Sequence, residues 1–112
     1  MNFNTDKPIY LQIVDAICDR ILSGELKGED RIPSVREYGA ELGVNPNTMM
    51  RSYEELTDDG IIYNKRGIGY FVSPQAHELV LKTQQRVFLE KEVPAIKARM
   101  KLLGITSEVF DN

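Results

Sequence analysis

Cysteine, histidine and tryptophan are nearly absent from this chain of 112 residues, which has one cysteine, one histidine and no tryptophan. A single cysteine forms no disulfide within the chain, and one cysteine with one histidine cannot assemble a zinc cluster from such ligands alone. The same scarcity leaves no convincing Ser/Cys–His–acid set, so we expect no catalytic residues and no enzyme activity. Because a lone thiol fits a reducing compartment, we expect a cytoplasmic protein.

Long apolar runs are missing as well. No stretch approaches the roughly 18 apolar residues of a membrane span, and the N-terminus is polar, so we expect neither a span nor a signal peptide. No phosphate loop and no dinucleotide-binding motif occurs, and we expect no cofactor and no metal. Hydrophobic residues make up 42% and charged residues 28% of the chain, which is typical of a globular domain.

The chain also lacks the surplus of basic charge that attracts nucleic acids, because its net charge is −3. Residues 1–72 hold eight Lys/Arg and twelve Asp/Glu, a net charge of −4. The acids are clustered, however, and the stretches 42–53 and 60–77 contain Arg51, Lys65 and Arg66 but no acid. We therefore expect a locally basic face on an acidic protein, with weak non-specific DNA binding and specificity that depends on base contacts and dimerisation.

The first half of the chain carries strong helix signals. Residues 1–6 are predicted to be a disordered lead, and apolar residues then recur every three or four positions as far as Leu22. This spacing predicts a helix that has Pro8 in its first turn and ends at Ser23-Gly24. Residues 25–32, with two glycines and mixed charge, are predicted to form a loop.

Capping residues mark two further helices. Ser34 and Glu37 form an S-x-x-E capping box before a helix over residues 35–42, which Gly43 ends in a left-handed conformation. Asn45 as N-cap and Pro46 as first helical residue start a second helix, which runs to about residue 59.

The two helices form a predicted helix-turn-helix. A small residue at Gly39 lets the helices cross closely, and a short turn with glycine joins them. The inward face of the second helix is predicted to consist of Met49, Tyr53 and Leu56.

A β-hairpin is predicted next. The β-prone runs 61–63 and 70–72 flank a loop with two glycines and two cations. A helix-turn-helix followed by a basic hairpin is a winged helix, so the predicted fold is mainly α with a small β-hairpin. Its second helix would enter the major groove of DNA, and the hairpin, or wing, would reach the minor groove or the backbone.

The remaining residues are predicted to form a helical tail. Ser73-Pro74 would cap a helix over residues 75–92, Pro94 would kink it or start another, and Ser107 would cap a last short turn after Gly104. We therefore divide the chain into a DNA-binding domain, residues 8–73, and a dimerisation tail, residues 74–112.

An apolar stripe along this tail predicts a dimer seam, since two such helices expose too much apolar surface alone. Packing of the stripe against its own winged helix is the alternative. The predicted seam residues are Leu79, Thr83, Val87, Ile96, Met100 and Leu103.

Several motifs in the same order resemble the winged-helix domain of the GntR family of bacterial transcription regulators, over about residues 8–73. The motifs lie at residues 8–13, 33–37, 41–48, 53–56, 60–62 and 66–72. The short two-helix tail resembles the YtrA-like subfamily, whose members lack a large effector domain. The resemblance implies a homodimeric, sequence-specific repressor of a palindromic DNA operator, in a subfamily often tied to membrane-transporter genes.

The resemblance also implies DNA contacts. Arg36 would contact phosphate, Arg51 would lie one turn along the recognition helix, and residues 65–69 would form the wing tip. The full set is Ser34, Arg36, Asn45, Pro46, Asn47, Thr48, Arg51, Lys65, Arg66, Gly67 and Gly69. Other branches of the family often carry Arg at the position of Met50 and a basic residue at that of Pro46, so the base readout cannot be copied from them.

Each of these residues also has a structural interpretation. Arg36 could be a solvated charge, Arg51 could pair with Glu54 or Glu55, and the wing cations could belong to an ordinary hairpin tip. The segment 45–48 is in any case a capping sequence, and Met50 could touch a thymine methyl group. Cys18 and Tyr10 lie on the apolar stripe of the first helix and are expected in the core, and His77 is expected on the surface.

Two further points stay open. The acidic balance supports an alternative function, a protein-interaction module on a winged-helix scaffold without DNA binding. A tail of about forty residues can hardly enclose a ligand cavity of some 300 Å3 within one subunit. A small-molecule effector is therefore unknown, and its site would need the dimer interface or the seam between tail and winged helix.

Overall fold

A computed structural model describes residues 6–111, so all of the predicted lead except Asp6 lies outside the described residues. The chain divides into two compact units, the first ending at Val80 and the second beginning at Leu81. We call the described residues 6–80 the winged-helix unit and residues 81–111 the tail unit.

The winged-helix unit is mainly helical, as predicted. Its elements are α1 (Ile9–Leu22), β1 (Arg31–Ile32), α2 (Val35–Leu42), α3 (Pro46–Asp58), β2 (Ile62–Lys65), β3 (Gly69–Val72) and the beginning of α4 (Ala76–Val87). The tail unit continues through a π-helical turn (Phe88–Glu92), α5 (Val93–Leu103) and a 3₁₀ turn (Ser107–Phe110). Within the described residues, no helix is long and apolar enough to cross a membrane.

The capping residues define α2 and α3 as predicted. The Ser34 hydroxyl accepts a hydrogen bond from the Glu37 N–H at 3.1 Å, and the Glu37 carboxylate accepts one from the Ser34 N–H at 3.4 Å. Gly43 ends α2 at φ 69°. Asn45 is the N-cap of α3, with Pro46 as the first helical residue. Pro8, in contrast, is the N-cap of α1 and not part of its first turn.

The two helices of the helix-turn-helix cross at Gly39, which confirms the predicted close approach. A Cβ atom at Gly39 would lie 2.8 Å from the Val44 carbonyl oxygen and 3.2 Å from Met49 Cγ. The Val44 N–H donates to the Gly39 carbonyl at 2.8 Å, so backbone meets backbone at this point. A side chain at residue 39 would therefore have to push the turn away from α2.

The sheet has three antiparallel strands in the order β1-β3-β2, one more than the predicted hairpin. β3 pairs with both neighbours, so that Phe71 faces Tyr63 on one side and Arg31 on the other. The predicted loop over residues 25–32 was therefore wrong for Arg31 and Ile32. A strand of two residues is too short to leave a periodic pattern in the sequence.

The core of the winged-helix unit lies between the three helices and the inner face of the sheet. Its largest fully buried apolar side chains are Ile13, Ile17, Ile21, Ile32, Met49, Tyr53, Leu56, Ile62 and Val72. Tyr53 joins two parts of this core, because its hydroxyl donates to the Pro33 carbonyl and its ring meets Tyr70 edge-on at 5.0 Å between centroids. The inward face predicted for α3 is thereby confirmed.

Cys18 lies in this core, as expected for a structural thiol. Burial raises the pKa of Cys18 to about 12, and the nearby carboxylates of Asp15, Asp19 and Asp59 act in the same direction. The thiol therefore stays protonated at neutral pH, which is unlike a redox-active cysteine.

The beginning of α4 differs from the prediction. Ser73 is held to the sheet because its N–H donates to the Ile61 carbonyl at 2.9 Å, and the chain turns at Pro74 before the helix begins at Ala76. The helix therefore begins two residues later than a cap at Ser73-Pro74 predicts. Ala76 and Val80 are buried, so the winged-helix unit extends into α4, past residue 73.

The tail unit accommodates Pro94 with a wider turn. The Val93 N–H donates to the Phe88 carbonyl five residues earlier, and α5 then begins with Pro94 in its first turn, where no N–H is needed. The backbone is helical at Glu92 and Val93, so Pro94 lies at an irregularity within a continuing helix and does not start a separate one. Gly104 ends α5 at φ 66°, and Thr106, not Ser107, is the N-cap of the last turn.

Candidate nucleic-acid interface

Helix α3 has one buried and one outer face. Its fully buried residues are Met49, Ser52, Tyr53 and Leu56. Helical spacing places Asn47, Met50 and Arg51 on the opposite side, and all three are exposed. The first two turns of α3 thus present an amide, a thioether and a guanidinium next to one another, and carry no acidic residue.

Acidic residues limit this outer face toward the C-terminal end of α3. Glu54 and Asp58 are exposed and lie three and seven residues beyond Arg51, on the same side of the helix. Their carboxylates would repel phosphate, so the surface that suits DNA is confined to the first two turns.

The N–H groups at the start of α3 already have partners within the chain. Pro46 has no N–H, the Asn47 N–H donates to Asn45 Oδ1 at 2.8 Å, and those of Thr48 and Met49 donate to the Asn45 carbonyl at 3.0 and 3.1 Å. These N–H groups are therefore not free to bind phosphate in this structure. Contacts with DNA would be made by side chains.

Arg51 stacks on an aromatic ring of α1. Its guanidinium carbon lies 3.9 Å from the centroid of the Tyr10 ring. No ion pair within residues 6–111 joins Arg51 to Glu54 or Glu55, the alternative that helical spacing suggested. Tyr10, expected in the core, is only half-buried.

The residues predicted in α2 lie at its first turn. Arg36 is exposed, as a phosphate contact requires. Ser34 is half-buried, and its hydroxyl caps α2. Its predicted role in DNA binding would therefore have to coexist with its role as a cap.

The wing is a tight hairpin with cations at its tip. The Ile68 N–H donates to the Lys65 carbonyl at 2.9 Å, and Gly67 turns the chain at φ 79°. Lys65 and Arg66 are exposed, and Lys65 Nζ lies 4.5 Å from the centroid of the Phe71 ring. The structure thus places all four predicted wing residues, 65–67 and 69, around one turn.

Strand β1 adds a third cation, which the sequence interpretation missed. Arg31 Nε lies 3.0 Å from the position that a Cβ atom would take at Gly69, so the Arg31 side chain crosses the wing beside this glycine. Arg31 is itself exposed. Because Arg31 was assigned to a loop, no sequence signal linked it to the wing.

No group of three His, Cys, Asp or Glu side chains among the described residues is arranged to hold a metal ion. The exposed side chains of this surface supply amide, guanidinium, ammonium and thioether groups. Such groups bind base edges and phosphate oxygens.

Comparisons with known proteins place these features in a family. The model of a family described as bacterial regulatory proteins, gntR family, matches residues 9–72. The uncharacterized HTH-type transcriptional regulator YhcF of Bacillus subtilis is 42% identical over 106 residues, which are 95% of this chain and 86% of YhcF. The HTH-type transcriptional repressor YtrA of the same organism is 36% identical over 98 residues, or 88% of this chain and 69% of YtrA.

A solved structure agrees with these matches. A GntR family transcriptional regulator from Listeria monocytogenes superposes with a TM-score of 0.80 at 34% identity, covering 96% of this chain and 93% of that one. The similarity thus extends beyond the winged helix into the tail.

Proposed function

Because this chain belongs to the GntR family, among the short members similar to YhcF and YtrA, and is a DNA-binding transcription regulator and not an enzyme, we propose that it acts as a homodimeric repressor on a palindromic operator. The name of YtrA as a repressor supports this sign of regulation. The resemblance to its subfamily further suggests transporter genes as targets, and action on DNA fits the expected cytoplasmic location.

The outer face of α3 carries the proposal. In the major groove, an arginine such as Arg51 donates two hydrogen bonds to guanine O6 and N7, and an asparagine such as Asn47 pairs with adenine. The exposed thioether of Met50 fits a thymine methyl group. Family membership, together with the absence of acidic residues from the first two turns of this face, favours DNA over a protein partner, despite the net negative charge.

The other proposed contacts position the protein on the duplex. Arg36 binds phosphate from α2, with Ser34 beside it, and Thr48 does so from the first turn of α3. Asn45 and Pro46 approach the backbone at the start of α3. At the wing, Lys65 and Arg66 reach the minor groove or its phosphates, where Gly67 and Gly69 allow close approach. Such contacts fix register and orientation but do not read sequence.

In this proposal, residues 8–73 are the DNA-binding domain and residues 74–112 are the dimerisation tail. The tail binds a second copy of the chain. Of the six proposed seam residues, five are exposed in the single chain and Met100 is half-buried. The six are Leu79, Thr83, Val87, Ile96, Met100 and Leu103. A symmetric partner that covers this stripe removes apolar area from water at roughly 25 cal/mol per Å2. Two recognition helices then meet half-sites about one helical turn apart.

In vitro selection from a random duplex pool at about 0.1 M salt tests the proposal. We expect an enriched inverted repeat, bound more weakly as salt rises. Failure to enrich any sequence with folded protein would contradict it, as would enrichment of single, unrepeated sites.

Substitutions test which residues read bases and which bind phosphate. Arg51→Ala should weaken operator binding by about 10- to 100-fold and relax preference at one base pair of each half-site. Arg36→Ala should weaken binding to all sequences alike. Arg99→Ala, which removes an exposed cation of the tail unit, is the matched control and should leave base preference unchanged.

A further inference from the structure

The ring of Tyr10 in α1 contacts the outer face of α3, where the Arg51 guanidinium stacks on it. We propose that Tyr10 is a specificity-determining residue that positions the Arg51 guanidinium for base readout without itself contacting DNA. This inference rests on the proposed function, specifically on the contact of Arg51 with a base.

Both partners of the stack are fixed by one junction between α1 and α3. Ser52, next to Arg51 and fully buried, donates from its hydroxyl to the Tyr10 carbonyl at 2.8 Å. This bond holds the backbone that carries the Tyr10 ring against α3. The guanidinium carbon of Arg51 lies 3.9 Å from the ring centroid, well inside the roughly 6 Å range of cation–π attraction. Arg51 is thus held against a half-buried ring although its own side chain is exposed.

Stacking on Tyr10 leaves the N–H donors of the Arg51 guanidinium available for hydrogen bonds. Cation–π attraction engages the flat face of the group, whereas its N–H donors point outward in the plane. The same Arg51 group can therefore stack on Tyr10 and donate two parallel hydrogen bonds to a guanine edge. Because the side chain is ordered before DNA arrives, less rotamer entropy is lost on binding.

The wing offers an instructive contrast. Lys65 Nζ lies 4.5 Å from the Phe71 ring centroid, but an ammonium is a compact charge without a planar donor edge. A ring beneath Lys65 can hold charge near a phosphate, whereas a ring beneath Arg51 also fixes the direction of two donors. Loss of Tyr10 should therefore reduce discrimination between bases and leave the attraction to phosphate intact.

The test is a double-mutant cycle on the full chain, using the selected operator and a duplex changed at the base pair that Arg51→Ala relaxes. We expect Tyr10→Leu to reduce the ratio of the two affinities by about 3- to 10-fold, without change in the salt dependence. Tyr10→Phe keeps the ring and should retain the full ratio. In the Arg51→Ala background, Tyr10→Leu should have no further effect.

The outcomes separate this inference from the proposed function. If Arg51→Ala itself leaves the ratio unchanged, the assignment of Arg51 as a reader fails. If Arg51→Ala lowers the ratio and Tyr10→Leu does not, the reader stands and the positioning role of Tyr10 is overturned. A loss in Tyr10→Leu that persists in the Arg51→Ala background would show a general structural effect and would likewise overturn it.

A second measurement covers the case in which Tyr10→Leu does not fold. In the operator complex of the wild-type chain, the side-chain resonances of Arg51 should be shifted by the ring current of Tyr10. The same shift should appear with Tyr10→Phe. Unshifted Arg51 resonances would mean that the stack is abandoned on DNA, which contradicts the proposal.

Discussion

The winged-helix unit and the tail unit carry similar helical spacings of apolar residues and bury them very differently. Leu56 of α3 is 0% exposed, whereas Leu103 of α5 is 55% exposed. From Leu81 onward, none of the described residues is buried. An apolar stripe therefore predicts that a helix has a face to cover, but the sequence does not say whether the same chain covers it.

The largest expected effect separates the two units directly. Leu56→Ala should lower the free energy of unfolding by about 2–5 kcal/mol, because it leaves a cavity in a closed core. This loss should be the same at all protein concentrations. Denaturant unfolding followed by circular dichroism at two concentrations measures it.

Leu103→Ala is the matched change in the tail unit. If a second copy covers the stripe, its destabilising effect should be smaller than that of Leu56→Ala and should grow as the protein is diluted. Sedimentation of the same variant should show weaker self-association. A concentration-independent effect of Leu103→Ala would break the comparison, since it would mean that the chain covers Leu103 by itself.

An effect of intermediate size tests the helix crossing within the winged-helix unit. Gly39→Ala should destabilise the fold by about 1–3 kcal/mol, because the added Cβ meets the Val44 carbonyl. The sign is informative: at a helix position without this contact, the same change would stabilise by about 1 kcal/mol. Ala40→Gly, at the exposed neighbouring residue, measures that propensity separately, and a stabilised Gly39→Ala variant would refute the tight crossing.

The smallest expected effect is a pH dependence confined to the buried core. The pKa of Cys18 is raised by burial from 9.0 to about 12, so between these values the unfolded thiol ionises while the native one does not. Stability should therefore be complete below pH 9 and fall as the pH rises, by at most about 1.4 kcal/mol per pH unit for this group. Burial also raises the pKa of Tyr53, with the same sign.

Cys18→Val removes the titrating thiol at similar volume. The slope of unfolding free energy against pH between 9 and 10.5 should be shallower in this variant than in the wild type. Equal slopes would mean that the thiol ionises in the native state. No comparable effect is expected from the tail unit, whose described residues include no buried titratable group.

Local signals were sufficient for the helix-turn-helix. Each signal acts within a few residues of the chain, so its effect can be predicted from the sequence. The signals are the capping box at Ser34, the left-handed Gly43 and the N-cap Asn45. The close approach at Gly39 was also predictable, because the length of the turn fixes where the helices meet. The family resemblance, carried by these motifs, was confirmed for the same reason.

Contacts between distant parts of the chain could not be predicted. Strand β1 exists only because β3 lies beside it, and the N–H of Ser73 is bonded to the Ile61 carbonyl, at the far end of the hairpin. The stack of Arg51 on Tyr10 joins α3 to α1, and the apolar spacing within each helix does not predict which residues of the two helices touch. The residues predicted to contact DNA lie at the first turn of α2, at the first two turns of α3 and at the wing, and their partners in the folded chain come from tertiary packing.

The two-sided construction of α3 also bears on how such a regulator can diverge. Residues that hold the scaffold, such as Met49 and Leu56, are separate from those proposed to read bases, such as Asn47 and Met50. If Asn47 and Met50 read bases as proposed, an exchange at either changes the operator that is recognised at little cost to folding, because both side chains are exposed. Duplicated copies could acquire new targets by a few surface substitutions, while the buried half of the same helix keeps the fold unchanged.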